Sequence, residues 1–328
     1  MDLGLISLLI GVSFIVGVLS GFFGFGGGFI LTPFLISLGF PANLSIGTTM
    51  TQIFMSSIAA LVKHKRLGNI DLRSGLIIAV FSFFGAEAGA QLIEYLKRTG
   101  TYYLNFIVSL SYAVILGLIS LCIFYEKYRA NRQESKRRNL LKDKVRRVRI
   151  PPVIDLPKSE SGPISLWIIV LIGLCTGFLA GFLGAGGGFI LVPILIYVIG
   201  YSPPIAVGTC AFQMVLNCAY ASFTHATKGN VLFQIAALTF IGSFIGLQVG
   251  ISAVKHVDET KFKTAFAFCL GSISLGVVIR LLSKELSMPS LEFLSQVIML
   301  LSAFLVALFI MISTLIRQLR GYPKIINK

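Results

Sequence analysis

Charge is what this sequence is short of. Only 12% of its 328 residues are Asp, Glu, Lys or Arg, against 55% hydrophobic residues. None of the four occurs from Leu3 to Val62, from Ser161 to Thr227 or from Gly229 to Val254. An ordinary soluble domain carries about 25% charged residues, so that class is excluded. Each charge-free run exceeds the ~20 apolar residues of one bilayer crossing, and the chain reads as an integral membrane protein. The runs are continuous rather than alternating, which points to helices and not to barrel strands. Histidine is as scarce: three residues, none at metal spacing, exclude a zinc or haem site. No cofactor and no metal are expected. The five cysteines (Cys122, Cys175, Cys210, Cys218, Cys269) form no CxxC and lie in apolar segments, so they read as small packing residues. No Lys-Ser or Lys-Thr follows a glycine run, which excludes a P-loop and ATP-driven pumping by this chain alone. The glycine runs also lack the βαβ context of a dinucleotide fingerprint. No enzyme motif remains. Met1-Asp2-Leu3-Gly4 lacks the charged n-region of a signal peptide, so none is expected.

What is abundant is glycine, and it is patterned. Gly17 to Pro33 reads GVLSGFFGFGGGFILTP, and Gly177 to Pro193 reads GFLAGFLGAGGGFILVP, with twelve of seventeen positions identical. Three successive glycines between apolar stretches break a helix, because glycine loses the most backbone entropy on ordering and permits positive φ. The match continues beyond the motif after one inserted residue. Gly47-Thr48 pairs with Gly208-Thr209, Gln52 with Gln213, His64 with His225, Gly68-Asn69 with Gly229-Asn230, and Gly85 and Gly89 with Gly246 and Gly250. The chain is an internal repeat.

The first copy divides into five helical segments: Leu3 to Phe23, Phe29 to Leu38, Leu44 to Val62, Ser74 to Leu96 and Tyr102 to Tyr125. The second covers Ile164 to Leu183, Phe189 to Ile199, Ile205 to Thr224, Val231 to Val254 and Phe262 to Leu282. A last span, Leu291 to Ile316, has no mate. Residues 1–125 and 163–284 are thus the two transmembrane repeats, 126–162 a basic linker, and 285–328 an extra helix with a basic tail. Phe29 to Leu38 covers roughly 15 Å, about half of a hydrocarbon core near 30 Å. The glycine break therefore belongs well inside the membrane.

The formal charge of +15 does not point to nucleic acid once it is located. From Glu126 to Gly162 twelve Lys or Arg face five acidic residues. That is a cytoplasmic loop by the positive-inside rule, close to anionic lipid headgroups. With the linker inside, five crossings put the N-terminus outside, and the second repeat starts upside down relative to the first. The loop Lys63 to Arg73 then lies inside with four Lys or Arg, and its mate His225 to Asn230 outside with only Lys228. Lys97-Arg98 and Lys284 fit this cell-membrane topology less well. The fold expected is an all-α polytopic membrane protein of two inverted-topology five-segment repeats with glycine-broken helices, plus one extra C-terminal transmembrane helix.

Inverted repeats with discontinuous helices are the signature of secondary transporters. Half-helices starting near Gly28 and Gly188 offer unpaired N–H groups and positive dipole ends, so Gly26, Gly27, Gly28, Gly186, Gly187 and Gly188 are candidates for holding one small anion. The alternative is that these glycines serve close helix packing. The duplicated G-F-x-G-x-G-G-G-F-I-x-x-P, followed by Gly-Thr and a Gln in the next helix, resembles the sulfite exporter TauE/SafE family, also called the 4-toluene sulfonate uptake permease family. The resemblance spans roughly residues 4 to 284. It implies a carrier of sulfur-containing anions such as sulfite, sulfonates or sulfoacetate, working without ATP. The linker and the last span have no counterpart in it.

Side-chain roles rest on the residues themselves. Thr48, Thr49, Gln52, Thr209, Gln213 and Asn217 are polar positions in apolar helices, and Thr48 and Gln52 share a face, as do Thr209, Gln213 and Asn217. Two roles are open to them, bonds to sulfonyl oxygens or bonds between helices. Glu87 is acidic deep within a span, where its mate is the neutral Gln248, and is either the candidate for proton coupling or a protonated or hydrogen-bonded structural group near the helix ends. His64 and His225, near helix ends, are either interface residues or gates. A channel or carrier for another small anion, such as thiosulfate or an organic acid, stays open beside the sulfur-anion reading. The sequence says nothing of oligomeric state.

Overall fold

The computed structural model describes residues 3–132, 150–156, 158–159, 162–254, 257–286 and 288–319. Nearly all of them are helical. The helices are α1 (Leu3–Phe23), α2 (Gly28–Ser37), α3 (Ala42–Arg66), α4 (Leu72–Thr99), α5 (Thr101–Arg132), α6 (Leu166–Leu183), α7 (Gly188–Ile194), α8 (Pro203–Thr227), α9 (Phe233–Ala253), α10 (Glu259–Leu286) and α11 (Pro289–Leu319). A two-residue hairpin, β1 (Val153–Ile154) with β2 (Ile164–Ser165), precedes α6. Among the described residues nine helices are long and apolar enough to cross a membrane, and Gly28–Ser37 and Gly188–Ile199 are shorter apolar helices. The basic linker over 133–149 and the tail from 320 lie outside the described residues, and with them the expected contact with anionic headgroups.

Helix ends follow local chemistry. Asp71 caps α4, its carboxylate accepting the N–H groups of Arg73 and Ser74 at 3.0 and 3.3 Å. The single inserted residue also has a structural form. Pro33 and Pro193 stand 160 apart, Gly47 and Gly208 161 apart, and between them α7 runs on into a π-helical turn, Leu195–Ile199. An extra residue accommodated within a helix forces this wider turn; α2 has none.

The directions of the helices come from their contacts. α5 and α10 lie antiparallel, with Tyr102 donating to Glu285 at 2.8 Å and Lys127 to Thr264 at 3.0 Å. α3 and α8 are antiparallel too: a Cβ on Gly47 would meet His225, and Thr51 bonds Ser222 at 2.7 Å. Each of these pairs joins a helix to its own repeat mate. By contrast α1 runs in the same direction as α9, because Cβ atoms on Gly242, Gly246 and Gly250 would strike Ile10, Phe14 and Val18 in turn. The mates of those two helices, α6 and α4, repeat the arrangement through Gly177 against Ser82 and Gly181 against Ala86. These seams bring backbones so close that a Cβ at Gly246 would lie 2.1 Å from the Phe14 carbonyl oxygen. Such spacing is the general use of small residues between membrane helices.

One expectation changes. The segment after the break, expected as one of five crossings, is not a crossing: α2 folds back along α1. Gly27 lies against Val16 and Ser20. Phe22, at the end of α1, has its ring centroid 5.3 Å from that of Phe262 in the first turn of α10, whereas Ile36, near the end of α2, takes a bond from Arg280 towards the far end of α10. The pair α1–α2 thus leaves the bundle at the end where it entered. α3, α4 and α5 then carry the chain to the linker, and the N-terminal helix begins at the end opposite to it.

Candidate functional site

Two glycine breaks meet at the centre of this bundle. In the first, Gly24, Gly26 and Gly27 have φ of 78°, 75° and 81°; in the second, Gly184, Gly186 and Gly187 have 72°, 69° and 74°. Side chains rarely adopt that region, so these turns are what glycine makes possible. The two loops touch reciprocally. A Cβ on Gly28 would lie 2.4 Å from the Gly184 carbonyl oxygen, and one on Gly188 2.6 Å from the Phe25 Cα. Neither Gly27 nor Gly187, the residues before the half-helices, contributes a side-chain cap. The first-turn amides of α2 and of the rod Gly188–Ile199 therefore start in the middle of the molecule.

Hydroxyls clamp one side of this junction. Thr32 donates to the Gly184 carbonyl at 3.2 Å, and the buried Tyr112 hydroxyl reaches the Leu183 carbonyl and, at 3.5 Å, that of Gly28. Ile53 and Met214, which are repeat mates, plug the middle: Cβ atoms on Gly26 and Gly186 would each meet the Met214 Cε and the Ile53 Cγ2. A cavity of about 10 Å³ lies beside Gly24, Gly26, Met214 and His64, close to the minimum for one water. Sequence reasoning passed over Ile53 and Met214, because an apolar residue in an apolar helix carries no mark. Their signal was adjacency to the paired Gln52 and Gln213.

The polar candidates divide into two groups. Thr48 and Thr209 act in bonds between helices, their hydroxyls accepting the N–H of Leu232 and of Asp71, each at 2.9 Å. Thr209→Val should strand the Asp71 N–H in a buried site and cost about 1–3 kcal/mol, read as a lower unfolding temperature that Thr209→Ser restores. The second group, Thr49, Gln52, Gln213 and Asn217, is wholly buried. Gln52 Nε2 donates to Ser56 at 2.8 Å and to Ser243 at 2.7 Å. Thr49 Oγ1, Gln52 Oε1 and both amide heteroatoms of Gln213 and of Asn217 have no partner. Cys210, Gln213, Met214 and Asn217 form one i, i+3, i+4, i+7 stripe on α8, and that stripe meets the second break at Cys210, beside Gly188, and at Met214.

The titratable candidates sit in different surroundings. His64 and His225, each in the last turn of its helix, are fully buried; His225 Nε2 lies 3.1 Å from the Gly181 carbonyl, and His64 lines the small cavity. Glu87 is partly exposed, and its bonding partners come from α4, α8 and the turn after α8. It accepts from Gln91, from Tyr220 at 3.1 Å and from Thr224 at 3.4 Å, with Lys228 at 4.0 Å. Its mate region holds Lys63, donating to the Gln248 carbonyl at 2.6 Å. Outside the spans, Tyr201 donates to Asp71 at 2.6 Å, and burial together with that bond raises its pKa, so the phenol stays a donor. Among the described residues no group of three or more His, Cys, Asp or Glu could hold a metal ion.

Residues 9–279 match the model of the family described as sulfite exporter TauE/SafE. A probable membrane transporter protein of Methanocaldococcus jannaschii is 30% identical over 84% of this chain and 96% of its own length. One from Bacillus subtilis is 25% identical over 79% and 94%. A sulfite exporter TauE/SafE family protein of Arabidopsis thaliana is 30% identical over 33% of the chain and 28% of its own length. No solved structure matches.

Proposed function

Because the chain belongs to the sulfite exporter TauE/SafE family, we propose that this multi-pass membrane protein is a secondary transporter of small sulfur-containing anions. Sulfite, sulfonates and sulfoacetate are the intended class, moved by alternating access and coupled to an ion or proton. The observation that carries the reading is the meeting of two half-helix starts, Gly28 and Gly188, around a shared plug of Ile53 and Met214. Helix N-termini attract anions through aligned N–H groups and the dipole. Two of them at one point supply that attraction without placing a lysine in the membrane.

The antiparallel mates α3/α8 and α5/α10 support two inverted repeats. Rocking one repeat against the other would withdraw Ile53 and Met214 and open the junction to one side at a time. Sidedness follows from the basic residues: N-terminus outside, linker and C-terminus in the cytoplasm of a cell with this protein in its plasma membrane. Glu87, with Lys228 beside it, is the group we assign to coupling, and His64 and His225 to gating. The plug of Ile53 and Met214 between the two breaks favours a carrier over an open channel. Proteoliposomes loaded with labelled sulfite, a sulfonate or thiosulfate should show saturable flux. Sulfite and sulfonates left unmoved by folded protein, with thiosulfate or an organic acid carried, would overturn the substrate class.

A further inference from the structure

The two polar stripes that flank the junction are not equivalent. On α3, Gln52 and Ser56 bond each other, and both bond Ser243 of α9, at 2.7 to 3.0 Å. The mates of these three residues are Gln213, Asn217 and Ser82. Ser82 bonds only within its own helix, to the Ala79 carbonyl at 2.7 Å. Gln213 and Asn217 are each 0% exposed, and all four of their amide heteroatoms are without a partner. An orphaned buried polar atom costs about 1–3 kcal/mol, so four on one face call for an occupant.

The donor and acceptor count limits what that occupant is. Two carboxamides present N–H groups and carbonyl oxygens together. A fully deprotonated oxyanion or a plain alkanesulfonate brings acceptors only; even with the N–H of one carboxamide turned to the carbonyl of the other across the i, i+4 spacing, one amide carbonyl oxygen stays without a donor. An O–H group donates one hydrogen to that carbonyl and accepts from an amide N–H. The stripe also carries Cys210 and Met214, which touch the second glycine break. An anion lying at the break is thus within one helical turn of the two amides.

We infer that Gln213 and Asn217 form a hydroxyl-recognising subsite, which selects sulfur oxyanions bearing an O–H group over those without one. This rests on the transport reading above and narrows its substrate class. Two sources share that chemistry, the S–OH form of hydrogen sulfite and the alcohol of a hydroxyalkanesulfonate.

Binding to the purified full chain in detergent tests it, with isethionate, ethanesulfonate, hydrogen sulfite and sulfate as probes. Isethionate and ethanesulfonate differ by one hydroxyl. The expected result is at least about tenfold tighter binding of isethionate, and a ratio that falls to within about twofold in Gln213→Leu. Asn217→Ser guards against loss of fold, since it reproduces on α8 the Gln-x-x-x-Ser pair that α3 already carries. It should lower the ratio by letting Gln213 bond as Gln52 does. Tight binding of hydrogen sulfite with equal, weak binding of both alkanesulfonates assigns the subsite to the S–OH group, provided Asn217→Ser weakens hydrogen sulfite but not sulfate. Ethanesulfonate binding as tightly as isethionate, with every probe insensitive to both substitutions, overturns the subsite and leaves the transporter reading standing. Failure of every sulfur anion to bind folded protein overturns both.

Discussion

Gly28→Ala is expected to abolish flux, and Gly26→Ala only to reduce it. The added methyl at Gly28 would sit 2.4 Å from the Gly184 oxygen and 2.8 Å from the Ala185 Cα, both backbone atoms. No side-chain rotation relieves that clash, so the two breaks must separate. Overpacking of this kind falls at or beyond the upper end of about 1–3 kcal/mol, and it separates the groups assigned to the anion. At Gly26 the obstacles are side-chain atoms only, the Met214 Cε at 2.2 Å, the free end of a flexible side chain, and the Ile53 Cγ2 at 2.7 Å. Met214 can turn aside, so what remains there is a shift of the Ile53 side chain and the cost of an alanine at positive φ, about 1–2 kcal/mol. The measurement is sulfite flux in proteoliposomes alongside gel filtration and melting in detergent. Full flux and an unchanged melting temperature in Gly28→Ala would mean that the two breaks are not in contact in the functional protein.

Arg280→Met is expected to lower stability by about 2 kcal/mol, the weight of a hydrogen bond from a charged donor. Arg280 is 3% exposed, and its Nη2 donates at 2.7 Å to the Ile36 carbonyl in the last turn of α2. Gln296 of α11 bonds the next carbonyl, Ser37, at 3.2 Å. A cation at a helix C-terminus also answers its dipole. Removing the guanidinium takes away the charged donor, leaves the Ile36 carbonyl with only the Gly39 N–H at 3.1 Å, and loosens the tip of α2. Melting in detergent checks the size of the loss, and Arg280→Lys, which keeps charge and a donor, should recover part of it. An unchanged melting temperature in Arg280→Met would show that Gln296 alone secures the tip.

The helices were legible because their cause is local. Leu3 to Phe23 is recovered to the residue, and Ser74 to Leu96 lengthens to Leu72–Thr99, where Asp71 supplies a cap that a hydrophobic reading does not weigh. The inserted residue was visible as a change of repeat spacing, though nothing in the letters says that it becomes a π-turn at Leu195–Ile199. The return of α2 along α1 was not legible, since a ten-residue apolar segment has the same composition in either direction. Within the site, the pairing of Gln52 with Gln213 was readable, and so was their place in apolar helices. Their difference was not, because it depends on Ser243 reaching across from another repeat. Glu87 was read as deeply set from its position in α4, whereas its surroundings are decided by Tyr220, Thr224 and Lys228 on the far side of the chain.

The seams between α1 and α9 and between α4 and α6 have a consequence for how the protein is made. Each repeat leaves its most closely fitting groove open for a helix that belongs to the other. When α4 enters the bilayer during synthesis, the glycines of α6 that complete its surface, Gly173, Gly177 and Gly181, are still some seventy residues from being translated, a spacing read directly from the chain. Until then its small-residue face lacks that partner. The repeats are therefore not successive modules that fold and then dock; they are two halves of a woven object, and cutting the chain between them would leave two fragments, each lacking its closest partner.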